Sequence, residues 1–180
     1  MTKVLILNGS ARKGGNTDLL VESFTAGVKK SIDVETIRVS DFNVRPCRGC
    51  NACKESETGR CVVHDDMMFF WEKLSKADVL IIASPVYFYG ISATLKTVID
   101  RLHAPARVEL PIKKLGLLLV AASSDPTVFD PIKSQYEKIL SYFKLQNAGI
   151  VCIGGVEKPG DAKGSPLLAE AEKMGDLIEQ

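Results

Sequence analysis

At 180 residues, 46 % of them apolar, the chain has the size of one ordinary domain and enough apolar side chain for a sizeable core. Lys plus Arg (23) against Asp plus Glu (22) leaves a net charge of +1, which gives neither nucleic acid nor an anionic membrane an electrostatic hold. No apolar run approaches the roughly 20 residues of a membrane span, and the apolar start at residues 4–7 is too short for a signal peptide, so a soluble cytoplasmic protein is expected.

Residues 4–7 are a continuous apolar run, as a strand buried on both faces requires. A Gly-rich turn follows, and then a helix over about residues 16–29 with Leu19, Leu20, Ser23, Phe24 and Gly27 on one face. Residues 34–39 alternate as a more exposed strand does. The stretch 41–64 carries Pro, Gly, Asn and four cysteines with no period, and reads as a Cys-rich loop. Asp65 and Asp66 suit the N-terminal dipole of a helix that includes Met67, Phe70, Trp71 and Leu74. Met67, Met68, Phe69, Phe70 and Trp71 exceed what one helix face buries, which predicts contact with a second subunit in a homodimer or homotetramer.

A second buried strand is expected at 79–83, a loop at 84–90 and a helix at 94–102. A third apolar strand at 115–122, a turn-rich loop at 123–131 and a helix at 132–143 come next. The last strand is read at 148–153, a mobile loop at 154–165 and a final helix at 166–178. Five strands alternating with helices specify a single α/β domain over 1–180, with a parallel sheet covered on both faces. In such sheets ligands bind beyond the carboxyl ends of the strands, so the loops after the first, third and fourth strands are the informative ones.

The first of these is Gly9-Ser10-Ala11-Arg12-Lys13-Gly14-Gly15-Asn16-Thr17. Glycines let the backbone turn so that N–H groups converge, Ser10, Asn16 and Thr17 add uncharged donors, and Arg12 and Lys13 add charge. With a helix N-terminus behind it this is an anion site, and it matches neither the Walker pattern nor the dinucleotide G-x-G-x-x-G. The loop after the third strand, Ser84-Pro85-Val86-Tyr87-Phe88-Tyr89-Gly90, places three aromatics together, which suits a wall for a flat ring. One or two of those rings are equally explained as cover for the sheet edge.

In the cysteine loop, Cys47, Cys50 and Cys53 form Cys-x2-Cys-x2-Cys, and Cys61 follows after seven residues. Three thiolates at that spacing can wrap one face of a cubane and a fourth can close it. Zinc, which favours two Cys-x2-Cys pairs further apart, fits less well, and free or redox-active thiols are the third reading. Cys152, in an apolar strand, reads as a buried core thiol, and His64 as an exposed residue without a role. No Ser/His/Asp set or carboxylate pair calls for hydrolysis.

Gly9-Ser-x-Arg-x-x-x-Asn16-Thr17, together with Ser84-Pro-Val-Tyr87-x-x-Gly90 and the Leu95-Lys that follows, resembles the NADPH-dependent FMN reductases over about residues 1–155. Within that group the chain is most similar to the iron–sulfur flavoproteins, whose compact Cys quartet lies in the same loop. The resemblance implies a flavodoxin-like three-layer sandwich with a five-stranded parallel sheet in the order 2-1-3-4-5. It implies FMN, with Ser10, Arg12, Asn16 and Thr17 on its phosphate and Pro85, Val86, Tyr87, Phe88 and Gly90 along its ring. Ser123 stands in the third loop, where the family commonly has glycine, and is expected beside the ring. The resemblance also implies a [4Fe–4S] cluster on Cys47, Cys50, Cys53 and Cys61. The expected activity is FMN-dependent electron transfer to a small acceptor from NAD(P)H or a ferredoxin. The alternatives are a flavodoxin-type carrier, which the near-neutral charge disfavours, and a redox-sensing flavoprotein without its own substrate.

Overall fold

The computed structural model describes residues 1–179. The elements run β1 (Lys3–Asn8), α1 (Asn16–Gly27), β2 (Asp33–Arg38), α2 (Met67–Leu74), β3 (Val79–Tyr87), β4 (Gly90–Ile91), α3 (Ala93–Arg101), β5 (Lys114–Val120), α4 (Asp130–Phe143), β6 (Gln146–Ile153) and α5 (Leu167–Asp176). Five strands pair in parallel in the order β2-β1-β3-β5-β6, and the two-residue β4 pairs antiparallel with the end of β3. Without that short addition the order is the expected 2-1-3-4-5, that of a flavodoxin-like fold.

Alternation along the strands sorts the core onto two faces. Leu5, Leu7, Leu80, Ile82, Leu117 and Leu119 pack against Phe70 and Trp71 of α2, Leu95 and Val98 of α3, and Tyr136 of α4. Val4, Ile6, Ile81, Ala83, Leu118 and Val120 face the other way, against Leu20 and Phe24 of α1 and Ala171 and Met174 of α5. Truncating a fully buried leucine such as Leu118 costs about 2–5 kcal/mol. The helices α1 and α5 meet backbone to backbone. A Cβ on Gly27 would stand 1.8 Å from the Glu172 carbonyl oxygen, and one on Gly175 would stand 2.1 Å from that of Phe24.

Three expectations are corrected. The loop read at 84–90 is a hairpin, because β3 continues to Tyr87 and turns back through Phe88 and Tyr89 into β4. The apolar surplus of α2 is mostly taken up within the chain. Met67, Phe70 and Trp71 are buried, and Phe69 stacks on Phe42 at 4.6 Å between ring centroids, which leaves Met68 exposed. The segment 154–165 is tied down rather than mobile. The Asp161 carboxylate accepts from the N–H groups of Glu157 and Lys158, and the Asn16 side chain holds the segment against α1. No helix among the described residues is long and apolar enough to cross a membrane.

Candidate functional site

The turn between β1 and α1 approaches the start of α3 so closely that only glycine fits at residue 9. A Cβ there would lie 2.6 Å from Ser92 Oγ and 2.9 Å from the Leu95 side chain. Within the turn the Ser10 N–H donates to Asn8 Oδ1 at 2.9 Å, and the Arg12 N–H to Ser10 Oγ at 3.2 Å. Gly14 takes φ +68°, and the N-cap of α1 is Gly15, which has no side chain to cap the helix. The amides of the first turn therefore have neither an intrahelical acceptor nor a capping side chain, and an anion is the natural partner for them.

Those amides open into a cavity of about 220 Å³. Ser10, Arg12, Asn16 and Thr17 line one side, Pro85, Val86 and Tyr87 another, and Ala121 and Ala122 after β5 a third. The expected phosphate loop and the expected ring loop thus meet at the carboxyl end of the sheet. Phe88, Gly90 and Ser123 do not line this cavity. Phe88 stands fully exposed at the hairpin tip.

Asn16 has a second task. Its Nδ2 donates to the Lys158 carbonyl at 3.0 Å, and its Oδ1 accepts from the N–H groups of Gly160 and Ala162 at 3.1 Å each. The side chain is spent on the segment that covers the cavity, which leaves its backbone N–H for an anion. Arg12 also reaches that segment, with a 3.1 Å bond to the Glu157 carbonyl.

Sequence reasoning missed the support beneath the turn. The buried Asp18 accepts from Asn8 Nδ2 and from the Gly14 N–H, each at 2.7 Å, and pairs with Arg38 at the end of β2. Arg38 Nη1 donates to the Ser10 carbonyl at 2.6 Å. An acidic residue three positions into the helix, after two glycines, was the available signal for Asp18. Arg38 gave none, because β2 reads as an exposed edge strand.

The cysteine loop leaves β2 and folds along α3. Cys47 and Cys50 are exposed, Cys53 and Cys61 half-buried, and all four thiols are free. Among the described residues no three potential ligands stand together at metal distance. In kind the donor set suits an iron–sulfur cluster: four thiols on one loop, with the guanidinium of Arg101 beside Cys61 as counter-charge. The two stems of the loop are held by carboxylates. The Asn43 N–H donates to Asp66 and the Arg45 N–H to Asp65, while Arg101 binds Asp65 at 2.7 Å and the Arg45 carbonyl at 2.8 Å. Arg101 was legible in principle, as a cation in register with Leu95 and Val98 on the apolar face of α3. His64 is exposed, as expected. Cys152 is partly buried against the core, and burial pushes its thiol up to about 11.

A larger cavity of about 950 Å³ lies elsewhere, between α3 and α4, with Leu80, Ile82 and Leu115 among its lining residues. Apart from Cys47 of the cysteine loop, none of the loops at the carboxyl ends of the strands lines it.

Comparison with known proteins gives the fold and the family. An iron–sulfur flavoprotein of Methanocaldococcus jannaschii is 35 % identical over 98 % of this chain and 95 % of its own length. An NAD(P)H:quinone oxidoreductase from Methanothermobacter marburgensis shares the fold at TM-score 0.81 and 19 % identity, covering 98 % of both chains. An FMN-dependent NADH-azoreductase from Bacillus anthracis, solved in complex with FMN, does so at TM-score 0.63 and 14 % identity, over 98 % of this chain and 96 % of that one. The model of the NADPH-dependent FMN reductase family matches residues 2–146, and the chain belongs to that family.

Proposed function

We propose that the protein is an FMN-dependent oxidoreductase that takes electrons from NAD(P)H or a ferredoxin and delivers them to a small acceptor. The observation that carries this is the uncapped start of α1, which opens into a cavity shared by Arg12 and Thr17 on one side and Pro85, Val86 and Tyr87 on the other. The backbone amides at residues 15–17 and the Arg12 guanidinium bind the phosphate of FMN. Pro85, Val86 and Tyr87 wall the ring and exclude water from one face, and the segment 157–159 covers the phosphate end. Bound FMN supplies the hydride and electron chemistry, and the chain orients it.

Cys47, Cys50, Cys53 and Cys61 are the proposed ligands of a [4Fe–4S] cluster. The donor chemistry of the loop supports this, as does likeness to a relative named an iron–sulfur flavoprotein. Assembly as a homodimer or homotetramer belongs to the same reading. Exposed Val108, Tyr142 and Phe143, beside the cavity between α3 and α4, favour that face over α2.

Anaerobic purification with visible spectroscopy, iron and sulfide analysis, and NADPH turnover with quinone, nitro and ferric acceptors tests the reading. Flavin bands with turnover support the oxidoreductase. Flavin without turnover by any donor points to a carrier or sensor, and failure to bind added FMN overturns the site. Fewer than about two irons per chain after reconstitution removes the cluster and leaves the FMN site standing.

A further inference from the structure

Arg101 is the one Lys or Arg that is buried among the described residues, at 2 % exposure. A buried guanidinium is costly unless its donors are used and its charge is balanced. One side of it is satisfied by residues from both stems of the cysteine loop. Nη1 donates to the Arg45 carbonyl and to Asp65 Oδ2, and Nη2 donates to Asp65 Oδ1 at 3.2 Å and to the Val63 carbonyl at 3.5 Å. The chain thus leaves Arg101 at residue 45, passes through all four cysteines and returns to it at 63–65. The other side is unfinished, because the Nε–H is buried and has no acceptor among the described residues. The Cys61 thiol lies near the same guanidinium without accepting a hydrogen bond from its Nε–H.

A buried, unsatisfied donor on a fixed cation beside one sulfur of a four-sulfur loop is an arrangement that a more negative sulfur would complete. We propose that Arg101 is a positioning residue that closes the neck of the cysteine loop and donates a hydrogen bond to the Cys61 sulfur, making a cluster bound there easier to reduce. The inference rests on the cluster reading above for its redox part alone. Reduction adds one electron from an external reductant, and no bond forms or breaks. The added negative charge is stabilised by the nearby guanidinium and by hydrogen bonding to sulfur. Asp65 opposes it, as a negative charge at the same neck. Removing one member of the pair therefore shifts the potential in the opposite sense from removing the other, whereas loosening of the loop alone moves both the same way.

The test uses the full chain, reconstituted anaerobically with iron and sulfide, as wild type, Arg101→Gln, Arg101→Lys and Asp65→Asn. Dye-linked titration with dithionite reads the midpoint potential. The expected result for Arg101→Gln is a reduction equilibrium about tenfold less favourable, or 59 mV lower for one electron. Asp65→Asn is expected to shift it upward, and Arg101→Lys, which keeps the charge, to stay nearer wild type than Arg101→Gln. Equal potentials in all four proteins, or a fall in both Arg101→Gln and Asp65→Asn, overturns the redox role. If Arg101→Gln does not fold, the sign of the Asp65→Asn shift decides. Hydrogen exchange on the iron-free chain reads the neck separately: Arg101→Gln is expected to speed exchange about tenfold or more at residues 45 and 61–65, with β1 unchanged. Unchanged exchange there overturns the neck. A wild type that takes up no iron removes the cluster reading and its redox consequence, while the exchange result still stands for or against the neck.

Discussion

Arg38 and Asp18 meet at 2.8 Å beneath the Gly-rich turn, and through them the end of β2 holds the start of α1. Asp18 takes up the Gly14 N–H and the Asn8 amide, and Arg38 takes up the Ser10 carbonyl, so the pair fixes the backbone on both sides of the turn. Both side chains are largely buried, at 9 % and 17 % exposure, so removing one partner strands the other. Arg38→Met is expected to lower unfolding free energy by about 3 kcal/mol, and adding Asp18→Asn to recover part of that loss. Urea denaturation measures both. A loss in Arg38→Met under about 1 kcal/mol would place this pair with exposed ion pairs instead.

Arg12 and Asn16 line the same cavity and are expected to fail in different ways. Arg12 offers charge to a phosphate, so Arg12→Ala is expected to weaken FMN about tenfold and leave riboflavin nearly unaffected. Asn16→Ala releases the segment at Lys158, Gly160 and Ala162, and is expected to weaken both ligands and speed exchange in residues 157–162. Titration of each variant with the two flavins distinguishes these outcomes. An equal loss of both ligands in Arg12→Ala defeats the phosphate assignment.

Much of this arrangement could be read from the chain itself. The apolar runs of β1, β3 and β5 have no other stable use than a parallel sheet covered on both faces. Their loops, by topology alone, must share one end. What could not be read was the use of side chains over long sequence separations. Asn16 serves residues 158–162, and Arg101 serves residues 45–65, because the fold brings those segments together. Periodicity reports which face of a helix is buried and says nothing about which distant loop lies on it. The aromatic surplus of α2 misled for the same reason. Phe42, in a segment without period, turned out to be the partner of Phe69.

Asp65 gives the cysteine loop an acid limit. Burial alone pushes its carboxyl up, but hydrogen bonds from Arg101 and from the Arg45 and Met67 N–H groups, with the Arg101 charge, outweigh that and hold it below its ordinary 3.8. A depressed folded value stabilises the protein above the unfolded value, and the contribution is lost as pH falls below 3.8 through the folded one. Stability of the wild type is therefore expected to fall across that window more steeply than that of Asp65→Asn. Urea midpoints from about pH 6 down to pH 2.5 compare the two, and parallel curves contradict the assignment.

The tip of the β3–β4 hairpin holds an aromatic pair in a conformation that favours other residues. Phe88 and Tyr89 take φ +53° and +63°, where an L side chain costs about 1 kcal/mol or more. A two-residue hairpin turn of this kind prefers Asn-Gly. Phe88 is wholly exposed in the chain alone, so its ring repays none of that cost by burial. Strain of this sort persists where function uses it, and the tip adjoins Tyr87 at the mouth of the cavity. Replacing the pair, Phe88→Asn with Tyr89→Gly, is expected to raise unfolding free energy by about 1–2 kcal/mol. The same variant is expected to bind FMN more weakly, or to turn over NADPH more slowly, because it alters the turn that carries Tyr87 at the cavity mouth. Denaturant melts and flavin titration are read on one preparation. A loss of stability refutes the strain argument. A gain in stability with binding and turnover unchanged removes the hairpin tip from the site and leaves Pro85, Val86 and Tyr87 as its wall.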